Sequence, residues 1–314
     1  MSPQKFYLFT GATSGLGLEA AAQMARANSA NIIIAGVRDT ARLESLRRAI
    51  PAAQLRIMTL DTSSLSSVRL FSGEVATFLG TSPLSGVALN AGVQIISGDQ
   101  YSVDGFELTF ATNVLGHIAL FHLLQAAMSP ATVIVSTASG THDKDHKLAK
   151  PYKFYGGYFP SVADVARGKV SDSTDKAQLG RDRYATSKLC NILFTYAMAR
   201  KLGDKGPRFV AYDPGLMPGT ELARDQPAAI RFAWKSVLPT AAKLIDGAST
   251  AKRSGVMLAD LLAGLHLPNG SGLHVEFTGD EIASSQLSYN GAAQNALVEW
   301  VLMTAFDNLP SGIE

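Results

Sequence analysis

Residues 6–17 run Phe6-Tyr7-Leu8-Phe9-Thr10-Gly11-Ala12-Thr13-Ser14-Gly15-Leu16-Gly17, and a helical pattern follows over Leu16–Ala27. An apolar strand, a glycine turn and a helix in that order are what a dinucleotide's phosphates need. Gly11 permits the tight turn, Gly15 lets the backbone approach a pyrophosphate, and Gly17 lets helix and strand pack closely. The start of the helix then offers unpaired N–H groups and its positive dipole end to the anion. Glycine spacing alone is a weak signal; the strand before it and the helix after it supply the confirming context. Gly11, Thr13, Ser14, Gly15, Leu16 and Gly17 are therefore candidate cofactor contacts.

Working outward, short apolar runs alternate with amphipathic stretches, as expected of a parallel sheet covered on both faces. The predicted strands are Phe6–Thr10, Asn31–Ala35, Leu55–Leu60, Gly86–Asn90, Thr132–Val135 and Arg208–Tyr212, with a seventh at Leu273–Phe277. The helical patterns are Leu16–Ala27, Ser64–Leu79, Gly105–Ala127 and Tyr184–Leu202. The expected fold is α/β, a Rossmann-type doubly wound sheet in one domain spanning 1–314. Two stretches break the rhythm. Thr141–Arg183 is long, polar and aromatic, with Tyr152, Phe154, Tyr155, Tyr158 and Phe159 close together. Met217–Gly255 carries Phe232, Trp234 and Leu238. Both are expected to wall or cover a substrate site, because long irregular segments in compact domains are commonly functional.

The second strand should end beside the adenosine ribose, where a carboxylate selects NAD and a cation accommodates the extra phosphate of NADP. Val37 stands where the acid would be, and Arg38 follows with a donor fork matched to phosphate. NADP is expected, with Ser14 as a second phosphate contact, although Asp39 could pair with Arg38 and blunt it.

Composition excludes several classes. The 314 residues carry a formal net charge of +2 without long basic runs, which argues against nucleic acid as main partner. The single cysteine, Cys190, cannot form an internal bridge and is expected to be a buried small hydrophobe. The N-terminus does not read as a secretory signal, and no apolar run approaches the ~18 residues of a membrane span. A soluble, cytoplasmic protein is expected. His117 and His142 lack partners at ligand spacing, so no metal site is expected.

Tyr184-Ala185-Thr186-Ser187-Lys188 opens a predicted helix, and residues four apart share a helix face. A free phenol, with a pKa of ~10, is a poor base at neutral pH. A neighbouring ammonium is expected to favour the phenolate and lower that value.

With this pair the sequence resembles the short-chain dehydrogenases/reductases, from Phe6 to about Gly219. The resemblance rests on Thr10–Gly17, Asp61, Asn90-Ala91-Gly92, Asn113, Ser136-Thr137, Tyr184-x-x-x-Lys188 and Pro214-Gly215. It implies that Tyr184 is the proton donor and that Lys188 holds the nicotinamide ribose and tunes Tyr184. It further implies that Asn113 helps position Lys188 through a water and that Asp61, with Thr62 beside it, meets the adenine. Asn90, Ala91 and Gly92 would line the cofactor cleft with Pro214 and Gly215, and Thr220 would bind the nicotinamide amide. Alignment of Val135-Ser136-Thr137-Ala138-Ser139-Gly140 puts Thr137 in the place of the catalytic serine, with Ser139 as the other candidate hydroxyl.

Within that family the long 141–183 segment resembles light-dependent protochlorophyllide reductases and, less closely, retinol-dehydrogenase-like enzymes. In the photoenzymes a cysteine follows the Pro-Gly of the sixth strand. Leu216 stands there instead and cannot donate a proton. The first expectation is thus an NADPH-dependent reductase of a bulky apolar carbonyl. Protochlorophyllide ring reduction comes second, and a non-catalytic NADP(H)-sensing protein third. Monomer and homo-oligomer both stay open.

Overall fold

A computed structural model describes residues 3–39, 42–217, 247–267 and 270–306. Seven strands form one parallel sheet: β1 (Lys5–Thr10), β2 (Asn31–Val37), β3 (Leu55–Thr59), β4 (Leu84–Leu89), β5 (Val133–Thr137), β6 (Arg208–Asp213) and β7 (Leu273–Glu276). Their order is β3-β2-β1-β4-β5-β6-β7, and each neighbouring pair is parallel. The chain reverses its direction of winding between β1 and β4. A crevice therefore opens beyond the carboxyl ends of those two strands, the usual ligand position in such sheets. All seven predicted strands are present, with ends shifted by one or two residues.

Alternation along the strands sends side chains to two cores. Leu8, Ile32, Ile34 and Val87 face one, packed against Phe71, Phe110, Phe121 and Phe194. Tyr7, Phe9, Ile33, Ala35 and Val135 face the other, with Met24, Tyr212 and Leu258. Every residue of β2 is buried, which is why Ile32-Ile33-Ile34 reads as a continuous apolar run.

Among the described residues the α-helices are α1 (Gly15–Ala27), α2 (Leu43–Ala49), α3 (Leu65–Leu79), α4 (Leu108–Phe110), α5 (Gly116–Leu124), α6 (Val162–Ala166), α7 (Lys176–Leu202), α8 (Ala251–Leu262) and α9 (Gly291–Phe306). A π-helical turn, Ala111–Leu115, joins α4 to α5. Among the described residues, Leu108–Ala127 is long and apolar enough to cross a membrane by length and composition. Yet 72% of it is buried inside the fold, and a helix apolar all round is what a core position demands.

Two predicted boundaries are corrected. Helix α7 begins at Lys176 rather than Tyr184, because Asp175 caps it by accepting the N–H of Ala177 at 2.9 Å. The 141–183 segment thus ends in two helical turns and also contains α6. Of the 217–255 segment, residues 218–246, with Thr220, Phe232, Trp234 and Leu238, lie outside the described residues. Its end, 251–255, belongs to α8 and packs on α1: a Cβ on Gly255 would stand 2.5 Å from the Cβ of Glu19.

Candidate active site

One cavity of about 880 Å3 runs from the glycine turn to Tyr184 and Lys188 and on to the 141–183 segment. Its first end is backbone. Gly11 and Gly15 adopt φ of 69° and 54°. A Cβ on Gly17 would lie 2.4 Å from the Gly11 carbonyl oxygen, so only glycine lets α1 start this close to β1. The first turn of α1 holds no acidic residue, and the Ser14 side chain makes no capping bond there. That leaves donors and dipole aimed at the cavity and fits a pyrophosphate. Thr13, Ser14, Leu16, Arg38, Asp61 and Thr62 line this end as predicted, together with Asp39 and Arg42. The carboxylate of Asp61 accepts from the N–H and hydroxyl of Ser63, which fixes its direction. Arg42, absent from the sequence reading, supplies a second cation near Arg38 at the mouth. Its signal was available four residues downstream of Arg38, as a cation at the start of the next helix.

Asn90 fastens β4 to the turn by donating from Nδ2 to the carbonyls of Thr10 (3.1 Å) and Gly11 (3.2 Å). The Thr10 hydroxyl accepts the N–H groups of Asn90 and Ala91 at 2.8 and 2.9 Å. It also meets His117 Nε2 at 3.0 Å, while His117 Nδ1 lies 3.2 Å from the carbonyl oxygen of Asn113. A carbonyl only accepts, so Nδ1 carries the proton. Burial, aided by the Lys188 charge, holds the ring's pKa down at about 3. The ring is therefore neutral with Nε2 bare, and the single Thr10 hydroxyl proton lies between Nε2 and the Ala88 carbonyl oxygen, 3.2 Å away.

Asn113 sits at the centre of the π-helical turn, a bulge frequently found at functional sites. Its side chain is fully committed. Oδ1 accepts from Val93 N–H at 2.8 Å, while Nδ2 donates to the Val93 carbonyl and the Ser187 hydroxyl, both at 3.0 Å. It thereby fixes α7 one residue before Lys188. Gly92 lies between them; a Cβ there would be 3.4 Å from Asn113 Oδ1 and 3.8 Å from Lys188 Nζ.

Lys188 Nζ donates to the Thr137 carbonyl at 2.9 Å, and Asn191 Nδ2 donates to the same oxygen at 2.9 Å. The Thr137 hydroxyl turns to Asn90 Oδ1 at 3.3 Å. The side chain beside the phenol of Tyr184 that favours its ionised form is that of Ser139, whose hydroxyl also accepts the Thr141 N–H at 3.3 Å. Ser139 is itself held: His142 Nδ1 donates to its carbonyl at 2.7 Å, and His142 Nε2 accepts the Ser285 N–H at 3.0 Å. His142, expected in a core or solvent role, is thus a buried strut behind the candidate hydroxyl.

The electrostatics reverse one expectation. Burial, reinforced by the Asp213 carboxylate and opposed by the Ser139 hydroxyl, raises the Tyr184 pKa above that of a free phenol. Burial also lowers Lys188 to about 8, against the pull of Asp213. The phenol is thus held as an acid, a stock of one proton, while Lys188 stays predominantly charged at neutral pH. Asp213, which the sequence reading passed over, ends β6, is buried and lines the cavity, with Oδ1 accepting the N–H of Gly215. Its signal was a carboxylate ending a buried apolar strand just before Pro214-Gly215, a costly place for a charge without a task. Pro214 and Gly215 line the cavity beside it.

At the far end Val93, Leu148, Phe154, Leu216 and Met217 supply apolar wall. Phe154 packs its ring 6.0 Å from that of Tyr184. Of the aromatic group, Tyr152 and Phe154 reach the cavity, Tyr155 is exposed, and Phe159 packs on a core. Cys190 is buried, and burial raises its thiol pKa, so it is inert as expected.

Residues 5–153 match the family described as short chain dehydrogenase. The chain is 31% identical over 270 residues to a chloroplastic protochlorophyllide reductase of Daucus carota, covering 82% of this chain and 66% of that one. It is 30% identical over 311 residues to a polyprenol dehydrogenase of Danio rerio, covering 93% of this chain and 84% of that one. The chain spans 61–66% of the length of three of the curated relatives it matches, the carrot protein included. In fold it is similar to an NADPH-bound carbonyl reductase from chicken fatty liver, with a TM-score of 0.63 at 19% identity over 90% of this chain and all of the other. The chain belongs to the short-chain dehydrogenase family of oxidoreductases.

Proposed function

We propose that this protein is an NADPH-dependent reductase of bulky, apolar carbonyl compounds. One observation carries the reading: a single cavity joins the phosphate-binding turn to a buried, protonated phenol and an ammonium, then continues into an apolar chamber. Arg38 and Arg42 favour the phosphorylated dinucleotide. A bound reduced nicotinamide supplies the hydride. Tyr184 donates its proton to the substrate oxygen, and the Ser139 hydroxyl steadies that oxygen beside it. Thr137 contributes mainly through its carbonyl, which fixes the Lys188 ammonium, and Lys188 holds the cofactor's ribose. Asn113 acts through Ser187 and Val93. Phe154, Leu148 and Met217 exclude water and take the substrate's apolar body. The carrot relative favours ring double-bond reduction as a second reading, weakened by Leu216, a side chain without a proton to give.

Both readings meet in one assay. Purified protein should oxidise NADPH with an aromatic ketone or aldehyde in darkness, and Tyr184→Phe should lower kcat by about a thousandfold or more. Turnover of protochlorophyllide only under illumination, with no dark activity toward carbonyls, would replace the first reading with the second. Undiminished dark activity in Tyr184→Phe would remove the phenol from the chemistry.

A further inference from the structure

The far end of the cavity is not wholly apolar. Arg181 and Lys153 also line it. On α7, Arg181, Tyr184 and Lys188 stand at i, i+3 and i+7, which is one stripe of a helix. With a rise of about 1.5 Å per residue, Arg181 lies about 4.5 Å along the axis from Tyr184, and Lys188 lies about 6 Å away on the other side. Tyr184 therefore has a cation on each flank, one toward the cofactor end and one toward the substrate end.

The outer cation is held in place. Gln178 Oε1 accepts from Arg181 Nε at 3.1 Å, and Gln178 Nε2 donates to the Lys153 carbonyl at 3.0 Å. One amide thus ties the Arg181 side chain to the Lys153 backbone. Lys153 is bent into the left-handed region, φ 62°, a conformation a lysine holds only against strain. Among the described residues neither Arg181 nor Lys153 forms an ion pair. The nearest carboxylate in sequence, Asp182, is buried and already bonded to Gln178 and Ser171. Two cations lining an apolar chamber, Arg181 held by Gln178 and neither ion-paired among the described residues, fit an anion on the ligand. Asp213 beside Tyr184 would repel such an anion from the inner end, so the arrangement also sets the substrate's direction.

We propose that the substrate is amphipathic: a carbonyl on an apolar body, carrying a carboxylate that Arg181 and Lys153 bind at the outer end of the cavity. This rests on the apolar-carbonyl reading above and specifies its substrate class. Arg181 is the main contact because its fork can take both oxygens of a carboxylate, and Lys153 adds charge.

The test compares 4-benzoylbenzoate with its methyl ester, two ligands alike in size and carbonyl but differing in charge. Their affinities are measured calorimetrically on protein saturated with NADP+, so no turnover intervenes. The acid should bind about tenfold more tightly than the ester, and the advantage should shrink with added salt. Arg181→Gln should abolish that advantage while ester affinity stays within about twofold. Lys153→Gln, at an exposed position, should remove part of it. Equal affinity of acid and ester for the unaltered protein, or equal weakening of both by Arg181→Gln, would overturn the head-group assignment and leave the carbonyl reading standing. Binding of neither probe would overturn both.

Discussion

The two ends of the cavity are built by different means. At the cofactor end, 10–17, backbone does the work: glycine conformations, carbonyls stapled by Asn90, and free N–H groups at the start of α1. At the substrate end, side chains from 93, 148–154, 181 and 213–217 converge from separate elements. Backbone recognition compresses into a short motif, because a positive φ or a contact without Cβ admits one residue type. Side-chain recognition does not compress, since many residue types could form a comparable wall. The cofactor end should therefore fail abruptly under small changes, and the substrate end should give way in degrees.

Gly17→Ala is the severest test. Its methyl would fall 2.4 Å from the Gly11 oxygen and 2.7 Å from Asn90 Nδ2. NADPH affinity, followed by fluorescence titration, should drop about a hundredfold. A drop of only twofold would mean the turn yields easily. Arg38→Gln should cost about tenfold in preference for NADPH over NADH, read from the ratio of kcat/KM values; an unchanged ratio would pass that role to Arg42. Phe154→Ala, at the other end, should raise KM for an aromatic ketone about fivefold and leave NADPH affinity alone. A matching loss of cofactor affinity would erase the distinction between the two ends. Asp213→Asn has the gentlest expected effect. Lys188 loses its proton near pH 8, and Asp213 is the group that resists this loss. Activity that needs the ammonium therefore falls as pH rises through that region, and removing the carboxylate should move the alkaline limb of kcat/KM to lower pH. Movement to higher pH would contradict the assigned sign.

The same contrast explains what could be read ahead of the structure. Continuous apolar runs such as Ile32-Ile33-Ile34 and the glycine turn gave all seven strands and the cofactor end. The start of α7 was illegible because Lys176–Arg183 is polar and has little apolar periodicity; its cap at Asp175 was the usable cue. Missing that cue concealed Arg181, whose place on the Tyr184 stripe follows only from a helix already running. Asn113 was found as a residue type, but its partners Val93 and Ser187 are 20 and 74 residues away. The upward shift of Tyr184 also escaped, because proximity of a cation is visible in sequence and burial is not.

The imidazole of His117 has a consequence for how the protein answers to acidity. One uncharged ring is pinned between the Thr10 hydroxyl and the Asn113 carbonyl, so the glycine turn and the π-helical bulge share a common fixed post. With its titration displaced to about pH 3, that post keeps its shape at any pH a cell imposes. Between there and about pH 6.5 the unfolded chain gains a proton that the folded one refuses, so stability climbs with pH across this interval. Acid therefore acts on His117 by favouring the unfolded chain, and the tuning of turnover near neutrality falls to the ammonium of Lys188.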